Sequence, residues 1–126
     1  INSQYFKDVT IVEGFDKCIV SANENIKKNN LANCKTVVLD AKKLKTLELS
    51  QPLVAIIDPP RSGMHSETIA TLNKLKPESI IYVSCNIVQL GKDVKKFKEY
   101  KINKAALFDQ FPQTNHVEAI VELVLE

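Results

Sequence analysis

Five consecutive apolar residues, Leu53-Val-Ala-Ile-Ile57, stand between Pro52 and Asp58-Pro59-Pro60. The run offers no polar side to water, so it reads as a strand covered on both faces, as at the centre of a parallel sheet. Neither proline can donate to a ladder, so the strand has to end at Asp58. A parallel neighbour can be reached only through a crossover, usually a helix, and the rest of the chain alternates such segments. Val9-Thr-Ile-Val12, Lys35-Thr-Val-Val-Leu39 and Ser79-Ile-Ile-Tyr-Val83 are β-branched or apolar runs that read as further strands. Between them, Cys18, Ile19, Ala22 and Ile26 recur at helical spacing from Asp16 to Asn30, and Ile69, Leu72 and Leu75 do so from Ser66 to Lys76. Asn29-Asn30 is expected to stop the first of these helices, and Ser66 to cap the second. Residues 41–48 predict a short helix, and residues 87–98 an amphipathic one. Ile102 to Asp109 and Val117 to Leu125 close the chain as two strands. In the last, Ala119, Val121, Leu123 and Leu125 alternate against Glu118, Ile120, Glu122 and Val124, as an antiparallel partner would.

The resulting order, β-α-β-α-β-α-β-α-β-β, predicts a Rossmann-like α/β sheet with a closing hairpin. Ligands of such sheets sit outside the carboxyl ends of the strands. Glu13, Asp40, Asp58 and Cys85 all fall at such ends.

With 126 residues the chain is one domain at most. It is expected to be part of something longer, because Ile1 is not an initiator methionine and Gln4-Tyr-Phe-Lys7 reads as the end of a helix already under way. A formal charge of +2 is too small to argue for nucleic acid by itself. The lysine clusters at Lys42-Lys43-Lys45 and Lys92-Lys95-Lys96-Lys98 read as solvated helix faces. No apolar run approaches the ~20 residues needed to cross a membrane, and Ile1 onward does not resemble a signal peptide. Cys18, Cys34 and Cys85 are an odd set without CxxC spacing, which indicates neither a disulfide framework nor a zinc site. A reducing cytoplasm is the default location.

Each strand end has a bland reading beside a chemical one. A carboxylate at Glu13 can accept from both hydroxyls of a ribose, or merely neighbour a helix cap. Asp40 can face a ligand, cap the helix starting near Ala41, or do both. Asp58-Pro-Pro-Arg61 is more specific, since two prolines hold the flanking side chains. Asp58 could accept from an ammonium group there. Arg61 could bind phosphate, orient carboxylates or form a structural ion pair. Cys85 after a buried strand is by itself more often packing than nucleophile. His65 reads as an exposed turn residue.

Three segments taken together resemble the signature motifs of the RNA (uracil-5-)-methyltransferases, which use S-adenosylmethionine. They are Asp58-Pro-Pro-Arg-Ser-Gly63, Ser84-Cys85-Asn86 and Phe111-Pro-Gln-Thr-Asn-His-Val-Glu118. Val12-Glu13 with Ala22-Asn-Glu-Asn25 is similar to the family's second cofactor motif. The resemblance implies an S-adenosylmethionine-dependent methyltransferase fold and an RNA substrate, ribosomal or transfer. It further implies that Glu13, Asp40 and Asp58 hold the cofactor, that Cys85 adds to carbon 6 of uracil, and that Glu118 removes the proton from carbon 5. Arg61, Asn86, Gln113 and His116 are implied as supporting residues. The thiolate is the reactive form of a cysteine, so such a site has to stabilise it or supply a base.

Two departures qualify the resemblance. Ile87 stands where the family usually has proline, which loses a rigid turn but no reacting group. Gly14, Gly63 and Gly91 are the only glycines, and none lies in the glycine-rich turn with which such a domain begins. Residues 1–126 are therefore expected to be the C-terminal part of a catalytic domain, truncated before the first strand and that turn, and weak or inactive alone. Between the strands ending at Val12 and Ile57, the family places the strand missing here. The gap is expected to close directly, to recruit a second copy through its strand edges, or to be filled by residues outside this sequence. A non-catalytic RNA-binding or structural module that retains the motifs is the alternative. A cytosine carbon-5 enzyme is a third reading, disfavoured by the Phe-Pro-Gln-Thr segment.

Overall fold

A computed structural model of the chain describes residues 2–126. They form two compact units, the first reaching Thr46 and the second running from Leu47 to Glu126.

The first unit is a β-α-β element. Strand β1 (Val9–Glu13) and strand β2 (Cys34–Val38) pair in parallel, with Val9 opposite Cys34 and Glu13 opposite Val38. Helix α1 (Asp16–Lys28) connects them and buries Ile19. Its end is built by the two asparagines. Asn30 takes a positive φ of 53°, its backbone N–H donates to Lys27 O, and that of Leu31 reaches back to Ile26 O. These two bonds satisfy carbonyls that a helix end would otherwise leave open. A short 3₁₀ helix, Ala41–Thr46, follows β2.

The second unit holds a four-stranded sheet in the order β3-β4-β6-β5. Strand β3 (Val54–Ile57) lies parallel to β4 (Ser79–Ser84), joined through helix α2 (Ser66–Leu75). After helix α3 (Ile87–Val94), strands β5 (Tyr100–Phe108) and β6 (Glu118–Leu125) form the expected hairpin. Strand β6 inserts antiparallel between β4 and β5. The residues that face the core follow the strand period of two: Ile80, Tyr82 and Ser84 on β4, and Ala119, Val121 and Leu123 on β6, are buried. Ile69 and Leu72 of α2, Leu90 of α3 and Phe97 complete the core.

The strands fall into two sheets, β1-β2 in the first unit and β3-β4-β6-β5 in the second. Two details of the sequence reading are corrected. Helix α3 stops at Val94, short of residue 98. Beyond it, Lys96 N and Phe97 N donate to Asp93 O and Val94 O, an i→i+3 turn that drops Phe97 into the core. His65, not Ser66, caps α2: its Nδ1 accepts from Glu67 N at 3.3 Å.

Candidate active site

The period of two that builds the core also builds the site, on the opposite face of the same sheet. With Ile80, Tyr82 and Ser84 turned inward, Val83 and Cys85 take the other face. With Ala119 inward, Glu118 and Ile120 do the same. The ladder between β4 and β6 ends at Ser84 opposite Ala119, so one further step sets Cys85 opposite Glu118. The parallel pairing of Ile57 with Tyr82 carries Asp58, one residue on, to the level of Val83. These residues line an open cleft of about 470 Å³, with Asp58, Val83, Cys85, Glu118 and Ile120 from the strands and Phe108 and Gln110 from the end of the hairpin. Cys85 is a free, exposed thiol, and Glu118 is half-buried.

Two turns hold the thiol and the aspartate. The Ser84 hydroxyl accepts from Asn86 N and donates to Asn86 O, both at 3.1 Å, which folds the backbone tightly around Cys85. Asn86 is also the N-cap of α3, where its Oδ1 accepts from Gln89 N at 3.1 Å. Its Nδ2 donates to the Arg61 carbonyl at 3.0 Å, binding the Cys85 turn to the loop that begins at Asp58. Cys85 therefore stands just ahead of a helix N-terminus, where backbone N–H groups favour negative charge. The helix starts without a proline at Ile87 because Asn86 supplies the cap.

The Arg61 side chain is exposed, and no carboxylate lies within ion-pair distance of it among the described residues. A structural ion pair is thereby removed from its possible roles. Gln113 and His116 occupy an exposed turn and do not line the cleft. Gln113 has φ 66°, and the His116 ring packs edge-on against Phe111 with centroids 6.4 Å apart. Thr114 ties that turn, its N and Oγ1 both donating to Phe111 O at 3.2 and 2.7 Å.

Glu13 and Asp40 belong to the first unit, at the ends of its adjacent strands. Glu13 Oε1 accepts from Phe15 N and Asp40 Oδ1 from Lys42 N, each at 2.9 Å. Asp40 thus does cap the short helix. Both residues are exposed, and a Cβ built on Gly14 would come only within 3.7 Å of Asp40 Cα, an ordinary contact. Two exposed carboxylates at neighbouring strand ends suit the hydroxyls and amines of a nucleoside.

Sequence reasoning missed Val83, Ile120, Phe108 and Gln110 as lining residues. The first two were available from strand parity once Cys85 and Glu118 were chosen. It also missed Asp93, discussed below. No helix among the described residues is long and apolar enough to cross a membrane.

Comparison with known proteins places these features. The family profile described as tRNA (Uracil-5-)-methyltransferase matches residues 2–125. A 23S rRNA (uracil(747)-C(5))-methyltransferase of Vibrio cholerae is 34% identical over 116 residues, covering 92% of this chain and 31% of that protein. A tRNA (uracil(54)-C(5))-methyltransferase of Pyrococcus horikoshii is 39% identical over 114 residues, covering 90% and 28%. The crystal structure of the Pyrococcus abyssi tRNA (uracil-54, C5)-methyltransferase with S-adenosyl-L-homocysteine superposes with a TM-score of 0.80 at 34% identity, over 93% of this chain and 29% of that one. The chain spans between a quarter and a third of the length of these relatives.

Proposed function

The chain belongs to the tRNA (uracil-5-)-methyltransferase family, and on that premise we propose that it carries the catalytic centre of an S-adenosylmethionine-dependent RNA uracil carbon-5 methyltransferase. The observation that supports this most is the meeting of Cys85, Glu118 and Asp58 on one face of one sheet, around one cleft. A thiol and a separate carboxylate are what this reaction demands, because carbon 5 of uracil is a poor nucleophile. The Cys85 thiolate adds to carbon 6, and the electron pair of the 5,6 double bond passes onto the carbonyl at carbon 4 as an enolate. When bound, S-adenosylmethionine supplies the methyl group that carbon 5 takes up. The Glu118 carboxylate then removes the proton left on carbon 5. The electrons of that C–H bond restore the double bond, and the Cys85 sulfur leaves as thiolate.

Asp58 is assigned to the amino group of the cofactor, and Glu13 and Asp40 to its ribose and adenine. Arg61, the exposed cation of the Asp58 loop, is assigned to RNA phosphate. Relatives named for ribosomal RNA and for transfer RNA both match, so the proposed substrate class is an RNA uridine of either kind. An exposed thiol and a half-buried glutamate lining one cleft favour this reading over a non-catalytic module.

The test uses full-length protein and RNA containing 5-fluorouracil, in which fluorine cannot leave as a proton does. A covalent protein–RNA adduct is expected with the unaltered protein and none with Cys85→Ala. An adduct that persists in Cys85→Ala would overturn the assignment.

A further inference from the structure

Asp93 has no exposed surface, and the chemistry proposed above does not use it. A buried carboxylate survives in a fold only where its bonds are made, and here both oxygens are engaged. Oδ2 accepts from the Met64 backbone N–H at 3.0 Å and from the Tyr82 hydroxyl at 2.9 Å. Oδ1 accepts from Gln89 Nε2 at 3.1 Å and Lys96 Nζ at 2.9 Å. Burial alone pushes the carboxyl up, but the bonds from Lys96, the Met64 amide and Tyr82 outweigh it and hold the group below the usual carboxylate range. Burial and the same carboxylate push the Tyr82 hydroxyl up, so that it remains a donor.

The donors come from the Asp58 loop, from β4, and from α3 with its following turn. That places Asp93 where α3 and its following turn meet the Asp58 loop. The Asp58 loop is tied at Arg61 O by Asn86 Nδ2 and at Met64 N by Asp93. Gly63, between these anchors, has φ +83°, and a Cβ there would collide with Asp93 Oδ2 and lie 2.5 Å from Gln89 Cγ. The loop is seated against the carboxylate with no room for a side chain.

We infer that Asp93 is a positioning residue, which through the Met64 amide sets where Asp58 and Arg61 stand relative to the Cys85 thiol. It touches neither substrate nor cofactor. The kinetic consequence rests on the methyltransferase reading; the structural one does not.

The test uses the full-length protein carrying Asp93→Asn, which keeps the shape but turns one acceptor oxygen into a donor facing other donors. Hydrogen exchange at the Met64 amide is expected to quicken about tenfold or more, with the Leu90 amide of α3 and the β4–β6 ladder unchanged. Well below the melting temperature, kcat is expected to fall about tenfold to a hundredfold, with KM for RNA within about threefold of the original. Gly63→Ala should displace the same loop from the other side, so the double variant should be no slower than the slower single one. Unchanged Met64 exchange in folded Asp93→Asn, or rate losses that multiply in the double variant, would overturn the inference. If the unaltered protein methylates no uracil, the reaction is wrong and the exchange measurement alone decides the latch. If Asp93→Asn does not fold, Tyr82→Phe takes its place, with a smaller quickening at Met64 expected and none counting against.

Discussion

Cys85 and Glu118 are displayed by the fold rather than needed for it: neither lies in the core or appears in the hydrogen-bond network that holds the turns. Glu118→Gln should therefore leave the melting temperature nearly unchanged. Its turnover should drop about a hundredfold to ten-thousandfold, because proton removal from carbon 5 is lost. The covalent adduct should then accumulate on ordinary uracil RNA, visible as a band resistant to denaturing electrophoresis; rapid turnover without an adduct would remove Glu118 from the role. These two residues could be singled out from sequence because their flanking segments are so particular. Asp93 was not, since Lys92-Asp93-Val94-Lys95-Lys96 reads as a charged surface. Its signal was positional: Leu90, Asp93 and Phe97 follow helical spacing, and the two apolar residues that bracket it are both buried.

Among the elements, α3 shows how a missing rigid residue can be replaced. Its first residue, Ile87, is 45% exposed, and the Asn86 backbone before it is extended at φ −137° and ψ 92°. That is extended rather than helical, as the residue ahead of a proline has to be, with ψ about 30° short of the preferred range, and the first helical position tolerates proline. Ile87→Pro is therefore expected to stabilise the protein by about 0.4–1 kcal/mol, read as a rise in denaturation midpoint at constant slope. A fall would show that the Ile87 N–H or side chain is needed. Strands and helices were readable from their periodicities, down to the Asn29-Asn30 stop. Where reading failed, tertiary demand had overridden local pattern. Phe97 enters the core by ending α3 early, although lysines on either side would have continued a surface helix. His65 takes the capping position because the chain arrives extended at φ −65° and ψ 144°.

At the scale of the molecule, the buried charge at the loop junction should govern behaviour in acid. The folded state holds the Asp93 carboxyl below its ordinary value of 3.8, so the unfolded chain takes up that proton first. The stability it contributes is complete above about pH 5, begins to fall as pH approaches the ordinary value, and is lost as pH falls through the lower folded value. Denaturation midpoints followed downward from pH 5 should decline, and less steeply in Asp93→Asn; parallel profiles would contradict this. The parallel pairs and the closing hairpin were readable from sequence, but the pairing of β6 with β4 along its other edge was not, because apolar runs do not say which edges will meet.

The sheet of the second unit uses alternate residues of β4 and β6 for two unrelated purposes. A slip of one place by β4 would exchange the thiol for Ser84 and lift Ile80 and Tyr82 out of the interior, and the same slip by β6 would exchange the carboxylate for Ala119 and lift Leu123 out. Misassembled molecules would thus be silent as well as unstable. In a preparation of this protein, the fraction of chains able to form the RNA adduct should serve as a headcount of molecules with β4 in register, and the fraction that then releases methylated RNA as a headcount of those with β6 in register as well.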